Sequence, residues 1–492
     1  MGKQELYYGD NLEVLKLHIK DETVDLIYLD PPFKSNADYN ILFTEKDGSQ
    51  SAAQLKVFED TWKWDASSAK TYSDIVTNGG ALSAPMQALY ALLGPSDMMA
   101  YLVMMAPRLL ELRRVLKSTG SLYLHCDATA SHYLKVLLDR IFGVKNFRRE
   151  VIWRSGWVSG FKTKANNWVR NHDVLLYYVK DSSAAFTFNK IVVPHQEGYE
   201  RRGSTGTTTE GVPLDDVWTD IYSPQIMSFS KEKLGYPTQK PEALLKRIIE
   251  ASSNEGDIVL DPFCGCGTAI VMANKLNRQW IGIDITQLAI TLVKNRLNMN
   301  NLKVIGEPTT ATEAEELAKT DPYQFQWWAL GKVGARPAKE AQKKGADKGI
   351  DGTLLFHDES DPTKIKTIII SVKAGKLVPA YLDSLITVVK RENAQMGVLI
   401  SFNPPTRTMR TNAIAEGVYH SPGWNKDYPK FQLITVEQLL SGVVIDMPSN
   451  IDVNITYAGA SSSKSEAPIV QSSRNSKKKQ ATTENLKLIE IE

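Results

Sequence analysis

The stretch IVLDPFCGCGTAIVMANKLNRQWIGID, residues 258–284, decides the fold. It opens with a short apolar run at 258–260, which predicts a buried strand. A loop carrying Gly265 and Gly267 follows, and then a helix and a second apolar run at 279–283. Strand, glycine loop, helix and strand in this order predict a parallel α/β sheet. Sheets of this kind bind ligands at the carboxyl ends of their strands, where the loop lies.

The loop between the two strands has the chemistry of a cofactor site. Glycine permits a tight turn and lets backbone N–H groups approach a ligand without a Cβ in the way. Asp284 ends the second strand, where a carboxylate can accept hydrogen bonds from both hydroxyls of a ribose. Cys264 and Cys266 lack a second pair of ligands, so we interpret them as loop residues and not as zinc ligands. Dinucleotide enzymes share this pattern, and a simple packing turn would also fit it.

The rhythm of strand and helix runs through residues 1–305. Further strands are predicted at 24–29, 121–125, 150–154 and 173–179, and further helices at 98–116 and 241–252. Gly120 is interpreted as the stop between the helix at 98–116 and the strand that follows it. Residues 34–95 are predicted to be an irregular polar loop region, and residues 181–235 lose their periodicity. We therefore predict a doubly wound, Rossmann-like sheet over residues 1–305.

Composition excludes several classes of protein. The formal net charge is +2 over 492 residues, so any basic surface must be local. Three cysteines cannot build a disulfide framework, and no apolar run reaches the roughly 20 residues that span a bilayer. With no recognisable secretory signal, the sequence predicts a cytoplasmic protein without a membrane partner.

A second segment, Asp30-Pro31-Pro32-Phe33, follows the strand predicted at 24–29. Its two prolines rigidify the turn and offer carbonyl acceptors without N–H donors. The Asp30 carboxylate and the Pro31 carbonyl could each accept one hydrogen of an exocyclic amine, which would aim the nitrogen lone pair at a methyl donor. Phe33 would stack on the base that carries the amine. Such a base must leave its duplex to reach the pocket.

These segments resemble those of the amino-methylating DNA methyltransferases, in the permuted β-class order with the catalytic motif ahead of the cofactor motif. Residues 236–241, Tyr-Pro-Thr-Gln-Lys-Pro, match a family segment that helps hold the methionine end of the cofactor, with Tyr where His is frequent. The resemblance spans roughly residues 5–300 and implies S-adenosylmethionine as the cofactor. In this family a leading Asp favours adenine N6, and Ser-Pro-Pro favours cytosine N4. The implied catalytic residues are Asp30, Pro31, Pro32 and Phe33, and the implied cofactor-binding residues are Thr238, Lys240, Asp261, Phe263, Gly265, Gly267, Thr268 and Asp284.

Basic and aromatic residues alternate between residues 140 and 180. Nine Lys or Arg stand there against two acids, with Trp153, Trp157, Phe161 and Trp168 interleaved. Basic side chains contact phosphates, and aromatic ones stack on bases or open the base stack. This pattern favours double-stranded DNA as a partner, with a target-recognition region at about 155–235, although a solvated hairpin with core tryptophans is the alternative. The candidate DNA contacts are Arg154, Lys162, Lys164 and Arg170.

The chain changes character after a polar linker predicted at 306–320. Residues 321–447 predict a smaller α/β domain that resembles the Mrr-type restriction endonucleases. Asp347 and Asp351 match the acidic turn of that family, and Ser371-Val372-Lys373 stands where Glu/Gln-x-Lys is expected. The resemblance implies that Asp351 holds Mg²⁺ and that Lys373 orients the attacking water.

The C-terminal resemblance is incomplete. Ser371 is a weaker metal ligand than a carboxylate, and Gln324 and Gln326 stand in the first helix where an acid is frequent. A DNA-binding or assembly module on the same fold is therefore the alternative to a nuclease. Residues 448–492 are rich in Ser, Lys and Asn and are predicted to be disordered.

Together these observations predict an adenine-N6 DNA methyltransferase that uses S-adenosylmethionine, belongs to a restriction-modification system and assembles as a homodimer. The alternatives are a cytosine-N4 enzyme, a single-chain methyltransferase fused to a Mg²⁺-dependent endonuclease, and a catalytically silent DNA-binding protein. RNA is a weaker alternative substrate, since related amine chemistry occurs there.

Overall fold

The structure is a computed structural model that describes most of the chain up to residue 448. The described segments are 3–32, 38–44 and 50–59 (backbone only), 63–156, 166–194, 211–223, 232, 234, 238–299, 302–337, 349–358 and 365–448. All of them belong to one compact unit, Met1–Ser461. The predictions for Phe33, Lys162, Lys164, Asp347 and residues 449–492 lie outside these segments.

Residues 1–305 contain strands and helices, which alternate strictly only near the two ends of this range, as the sequence predicts for residues 241–297. The strands are β1 (Gln4–Tyr8), β2 (Val24–Leu29), β3 (Asp38–Thr44), β4 (Gln50–Glu59), β5 (Leu116–Cys126), β6 (Phe147–Arg154), β7 (His172–Val179), β8 (Val192–Val193), β9 (Val212–Pro213), β10 (Val217–Trp218), β11 (Ile258–Asp261), β12 (Gln279–Asp284) and β13 (Val304–Ile305). The helices are α1 (Asn11–His18), α2 (Ala66–Thr77), α3 (Ser83–Leu93), α4 (Asp97–Val115), α5 (Ser131–Phe142), α6 (Glu242–Ser252), α7 (Thr268–Lys275) and α8 (Gln287–Leu297).

Nine of these strands form one large mixed sheet in the order β10-β6-β7-β5-β2-β11-β12-β1-β13. The strands from β5 to β13 in that order run parallel to their neighbours, and β7 runs antiparallel to both β5 and β6. β2 and β11 are adjacent, with Val259 opposite Leu26 and Leu260 opposite Ile27. The loops that follow β2 and β11 therefore emerge side by side at one edge of the sheet, so a large α/β sheet is confirmed.

Both faces of the sheet are covered, which explains the almost continuous apolar character of its central strands. Val24, Ile27 and Leu29 of β2 pack into a core with α1, α4 and α5. Leu26 and Tyr28, on the opposite face, pack into a second core with α6, α7 and α8. Neighbouring side chains of a strand point to opposite faces of the sheet, so the single strand β2 contributes residues to both cores.

Two expectations in the first 120 residues are wrong. Residues 34–95 are not one irregular loop, because β3 pairs with β4 and two helices, α2 and α3, follow. α2 has no fully buried side chain, although Tyr72 and Ile75 pack partly buried against the core formed with α1, α4 and α5. Gly120 does not stop a helix but lies inside β5, where a Cβ would come within 2.9 Å of the Asp25 carbonyl oxygen. This glycine permits close approach of β2 and β5.

A second, smaller sheet lies in residues 306–448. Its helices and neighbouring strands are α9 (Ala311–Thr320), α10 (Pro322–Lys332), β14 (Arg336–Pro337), β15 (Gly352–His357), β16 (Ile365–Lys373), α11 (Ala380–Arg391), β17 (Met396–Ser401), α12 (Arg407–Ala415), β18 (Val418–Ser421), β19 (Lys426–Pro429), β20 (Phe431–Thr435) and α13 (Val436–Leu440). The sheet order is β14-β15-β16-β17-β20, with β15 antiparallel to β16 and the strands beyond β16 parallel. Helices α9, α10 and α13 cover one face, and α11 and α12 cover the other.

The predicted linker at 306–320 contains the helix α9. Thr310 and Glu313 form a capping box at its start, which satisfies the free N–H groups of the first turn. Ala314 and Ala318 are buried in the core of the smaller sheet. Two alanines among acidic residues make a weak stripe, which is why the segment read as a linker. No helix of the described residues has the length and apolar character needed to cross a membrane.

Candidate active site

A cavity of about 280 Å³ lies at the carboxyl ends of β2, β11 and β12. Residues of both sequence segments line it, together with two residues of the segment before α6. The predicted site residues on its wall are Asp30, Pro31, Pro32, Thr238, Lys240, Asp261, Phe263, Gly265, Thr268 and Asp284. The fold thus brings together side chains that lie more than 200 residues apart in the chain, because β2 and β11 are neighbours.

Asp30 follows the last residue of β2 and is little exposed. Its carboxylate accepts a hydrogen bond from the Lys240 ammonium at 2.5 Å. A buried carboxylate needs such a partner, because an uncompensated buried charge is strongly destabilising. The ion pair also joins the catalytic segment to the segment before α6. Lys240, predicted to bind cofactor, therefore touches the predicted catalytic residue directly.

Two further carboxylates shape the glycine loop. Asp261 accepts the N–H of Phe263 at 3.1 Å. Asp284 accepts the N–H of Gly265 at 2.9 Å, and its other oxygen accepts the N–H and hydroxyl of Thr286, both at 2.8 Å. Burial raises the pKa of Asp284 and, helped by the charges of Asp30 and Asp284, raises the pKa of Asp261 well above its ordinary value. A positive charge on a ligand beside these two carboxylates would lower the cost of ionising them.

Gly267 has a different place from Gly265. It is the N-cap of α7 with φ of 76°, a left-handed conformation that glycine adopts at little cost. A Cβ on Gly267 would lie 2.6 Å from the Cγ2 atom of Val293 in α8. Gly267 thus allows α7 and α8 to pack closely. Gly265, in contrast, lies on the cavity wall.

Sequence reasoning missed another cluster that lines the cavity, formed by Asp10, Asn11 and Arg108. Asp10 and Asn11 begin α1, and the Arg108 guanidinium of α4 bonds to Asp10 at 2.5 Å and to Asn11 at 2.6 Å. The Asn11 amide donates in turn to the carbonyl of Pro262 at 2.8 Å. Burial lowers the pKa of Arg108, although the charge of Asp10 opposes this shift. A signal was available, since Asp-Asn after a strand is a helix N-cap, but nothing linked it to the cofactor loop.

Arg296 of α8 is a second residue that the sequence analysis missed. It is buried, and its guanidinium donates to the Cys266 carbonyl at 2.7 Å, to the Thr268 hydroxyl at 3.2 Å and to Glu242 of α6 at 3.1 Å. These contacts tie the glycine loop to both neighbouring helices. An arginine in the last turn of a helix is usually solvated, so its position gave no signal.

A chain of polar side chains, the polar relay, runs behind the catalytic segment. It consists of Tyr28, His125, Asp173, Arg170 and Asp127. The Tyr28 hydroxyl bonds to Nδ1 of His125 at 3.0 Å, and Nε2 of His125 bonds to Asp173 at 3.3 Å. Arg170 then donates to Asp173 at 2.7 Å and to Asp127 at 3.2 Å.

Two members of the polar relay, Asp173 and Tyr28, have shifted pKa values. Burial would raise the pKa of Asp173, but the hydrogen bond and charge of His125, with Lys240 and Arg170, lower it below its ordinary value. Burial, together with the nearby charge of Asp30, raises the pKa of Tyr28 well above its ordinary value. Arg170, predicted to contact DNA, is half exposed and holds two carboxylates of this relay.

The aromatic residues of the predicted DNA-contact region divide into two groups. Trp153 is buried, and its indole N–H donates to the Ile221 carbonyl at 2.9 Å, so the core reading is correct for this residue. Trp168 is 97% exposed. The exposed side chain of Arg154 donates to the Gly156 carbonyl at 3.2 Å. Trp157 and Phe161 lie outside the described residues.

The predicted nuclease residues of the smaller sheet form a tight group, the Asp351 cluster. Asp351 precedes β15, and Ser371 and Lys373 end β16; their side chains donate to one Asp351 oxygen at 3.0 and 3.3 Å. The Val372 N–H donates to the same oxygen at 2.7 Å, and Gln326 of α10 donates to the other at 2.6 Å. Within the described residues, no group of three His, Cys, Asp or Glu side chains could hold a metal ion.

Several known proteins are similar to this chain. M.BamHI, a type II methyltransferase of Bacillus amyloliquefaciens, is 30% identical over 320 residues, which is 62% of this chain and 60% of that protein. The DNA adenine methyltransferase YhdJ of Escherichia coli K12 is 29% identical over 64% of this chain and 86% of its own length. The crystal structure of the M1.HpyAVI-SAM complex covers 60% of this chain and 98% of that chain, with 20% identity and a TM-score of 0.35.

The match to the first of these relatives is partial, since the chain spans less than two thirds of the length of M.BamHI. A family model described as DNA methylase matches residues 24–295. This range contains β2, the Asp30 segment, the glycine loop and Asp284. Because the family model covers more than half of the 492 residues of this chain, the chain belongs to this DNA methylase family.

Proposed function

We propose that this chain transfers a methyl group from S-adenosylmethionine to N6 of adenine in double-stranded DNA, as the methyltransferase of a restriction-modification system. The observation that carries the proposal is the shared cavity, whose wall contains both Asp30-Pro31-Pro32 and the glycine loop with Asp284. Membership of the DNA methylase family and the names of the relatives, type II methyltransferase and DNA adenine methyltransferase, support the same activity.

The residues of the cavity fit S-adenosylmethionine. Asp284 keeps acceptor capacity beyond the bonds it makes to Gly265 and Thr286, so it suits a ribose hydroxyl. Asp261 and Asp284 together favour a cationic ligand in a buried site, because burial makes two neighbouring negative charges costly. S-adenosylmethionine supplies a methyl group made electrophilic by a sulfonium charge. Thr238 and Lys240 would lie at its methionine end.

Asp30 and Pro31 would hold the target amine. Each offers an acceptor at the mouth of the cavity, so the two amine hydrogens would point to the protein and the nitrogen lone pair to the cofactor half. Lys240 bonds to Asp30 at 2.5 Å. Its flexible stem lets the ammonium withdraw when the amine arrives, and the Asp30 carboxylate then exchanges one donor for another.

The direct test incubates the protein and radiolabelled S-adenosylmethionine with unmethylated DNA and then analyses the nucleosides. Label in N6-methyladenine is the expected result. Label in N4-methylcytosine would overturn the assignment of the base, and the absence of label from DNA would overturn the proposed activity. A parallel incubation with RNA measures whether the enzyme acts on that polymer.

A Mg²⁺-dependent endonuclease is a second candidate activity, favoured by the convergence of Asp351, Ser371 and Lys373 at the ends of adjacent strands. If it operates, Asp351 would bind Mg²⁺ and Lys373 would orient a water. Cutting of unmodified DNA with Mg²⁺, lost in Asp351→Ala, is the supporting result. Intact DNA with every divalent metal tried would favour a module that only binds DNA or a partner. Sedimentation of the full chain would test the homodimer.

A further inference from the structure

Trp168 is the most exposed large apolar side chain of the described residues, at 97% exposure. Buried tryptophans such as Trp153, Trp280 and Trp328 contribute large apolar areas to the cores of this chain. An indole that faces water contributes nothing comparable to folding. Exposed aromatic side chains of this size are typical of surfaces that bind another molecule.

Trp168 lies at the same end of the large sheet as the cavity. It precedes β7 by a few residues, and β7 runs antiparallel to β5 with Val174 opposite Cys126. β5 runs parallel to β2, with Leu124 opposite Leu29. The start of β7 and the end of β2 therefore lie at the same end of the sheet, with β5 between the two strands. Asp30 directly follows the end of β2.

The segment that carries Trp168 is held to the sheet by contacts of Arg170 and Asn171. Arg170 forms ion pairs with Asp127 and Asp173, and Asp173 continues through His125 to Tyr28 on the cavity wall. The Asn171 carbonyl accepts the N–H of Ser155 at 3.2 Å. These bonds hold the backbone next to Trp168 while its ring stays in solvent. The polar relay thus connects Arg170, which stands two residues after Trp168 in the chain, to the catalytic half of the site.

We propose that Trp168 is an aromatic wedge that enters the DNA duplex beside the target adenine and stacks on the bases that lose a neighbour when the adenine rotates into the cavity. This inference rests on the proposed methylation of duplex DNA. Rotating a base out of the duplex costs stacking and pairing energy, and a flat apolar ring in the gap recovers part of the stacking. Arg170 and the polar relay position the wedge relative to Asp30.

The test compares Trp168→Ala and Trp168→Tyr in the full chain, after sequencing of the methylated products of the wild type has mapped the target adenine. Two oligonucleotide duplexes are used, one with the target adenine paired and one with it opposite an abasic position. On the paired duplex, Trp168→Ala should lower kcat/KM roughly 10-fold to 100-fold, the range expected for the loss of one stacked base. On the abasic duplex, where less energy is needed to expose the adenine, the loss should fall below about 3-fold. Trp168→Tyr should stay close to the wild type on both.

Controls separate this inference from the proposed function. Trp424→Ala removes another exposed tryptophan, in the smaller sheet region, and should not change either rate. Binding of S-adenosylmethionine and the thermal unfolding temperature should match the wild type in all variants. Equal losses on both duplexes, or no loss on the paired duplex, would contradict a wedge while leaving methylation intact. A wild-type chain that methylates neither duplex would instead contradict the proposed function.

Discussion

The cavity and the Asp351 cluster are built from the same side chains, an aspartate facing a lysine, yet their surroundings differ. Asp30 pairs with Lys240 on the wall of a cavity of about 280 Å³. Asp351 is enclosed, and Gln326, Ser371, Lys373 and the Val372 N–H all donate to it. A carboxylate has about four acceptor positions, so those of Asp351 are taken up by protein donors.

The difference teaches that a carboxylate is available for chemistry only when space and acceptor capacity remain beside it. Asp30 lines a cavity, so a ligand there can replace Lys240. A metal ion at Asp351 would have to displace protein donors from an oxygen that already accepts three hydrogen bonds. The comparison predicts that substitutions at the cavity change activity and that substitutions at the Asp351 cluster change stability.

The largest effect is expected for Asp30→Ala. Loss of the acceptor that holds the amine should lower the single-turnover rate of methyl transfer by about 10³-fold or more. S-adenosylmethionine should still bind, which titration calorimetry would measure. Asp74→Ala, an exposed aspartate in α2, is the matched control and should transfer at the wild-type rate. Loss of both transfer and cofactor binding in Asp30→Ala would show that the Asp30 segment is also needed to bind the cofactor, and not only to hold the amine.

Asp351→Ala should lower the free energy of unfolding by about 2–4 kcal/mol, because it leaves a partly buried lysine, a buried hydroxyl and a backbone N–H without their acceptor. Methylation by the folded fraction should be unchanged. Urea unfolding followed by tryptophan fluorescence checks this, with Asp383→Ala, an exposed residue of α11, as control. Equal stability of the two variants would refute the view of Asp351 as an enclosed structural charge.

Gly267→Ala should lower the free energy of unfolding by about 1–3 kcal/mol, since its Cβ would meet Val293 and its φ is positive. Gly256 also has a positive φ of 84°, but nothing lies within 4 Å of a Cβ there. Gly256→Ala therefore isolates the backbone cost, which should be about 1 kcal/mol or less. If both alanine variants lose the same stability, close packing of α7 on α8 is not what requires Gly267.

Asp173 should make the stability of the chain depend on acid pH. Its pKa is lowered in the folded state, by His125 above all, so it stabilises the fold above its unfolded pKa of about 3.9 and this contribution is lost as the pH falls below that value. Asp173→Asn should therefore flatten the fall in unfolding temperature between pH 5 and pH 3 and lower that temperature at pH 7. An unchanged slope would mean that the polar relay does not hold this carboxylate ionised.

The smallest effect is expected at the cysteines. Cys126, Cys264 and Cys266 are buried, and burial raises the pKa of each thiol. Iodoacetamide at pH 8 should therefore modify the native chain slowly, and all three cysteines should react in urea. Mass spectrometry of the labelled protein measures both. Rapid native labelling of Cys264 or Cys266 would show that the glycine loop opens more readily than its packing indicates.

The parts of the molecule that the sequence predicted share one property, a strong local pattern. β2 and β11 are short apolar runs that end in Asp-Pro, so both their strand character and the place of their loops could be read directly. α2 and α9 were missed because their exposed faces dominate their composition. For this reason the sequence of residues 306–320 predicts a linker, although α9 lies there.

The residues of the site divide in the same way. Motif residues such as Asp30 and Asp284 could be named from the sequence, whereas Arg108 and Arg296 could not. Each of these two arginines bonds to a partner distant in sequence, Asp10 for Arg108 and Cys266 for Arg296. Only the order of the strands in the sheet determines which distant residues meet, and one sequence does not report that order.

The adjacency of β2 and β11 also sets when the site can form. The 230 residues between Asp30 and Asp261 must be synthesised before the two loops can meet. At about 5–20 residues per second on a ribosome, that interval lasts roughly 10 to 50 seconds. During it β2, an apolar strand whose neighbour on one side is missing, has to remain unpaired on that side without aggregating. Non-local pairing of this kind slows folding, so the catalytic cavity should be among the last parts of the first 300 residues to assemble.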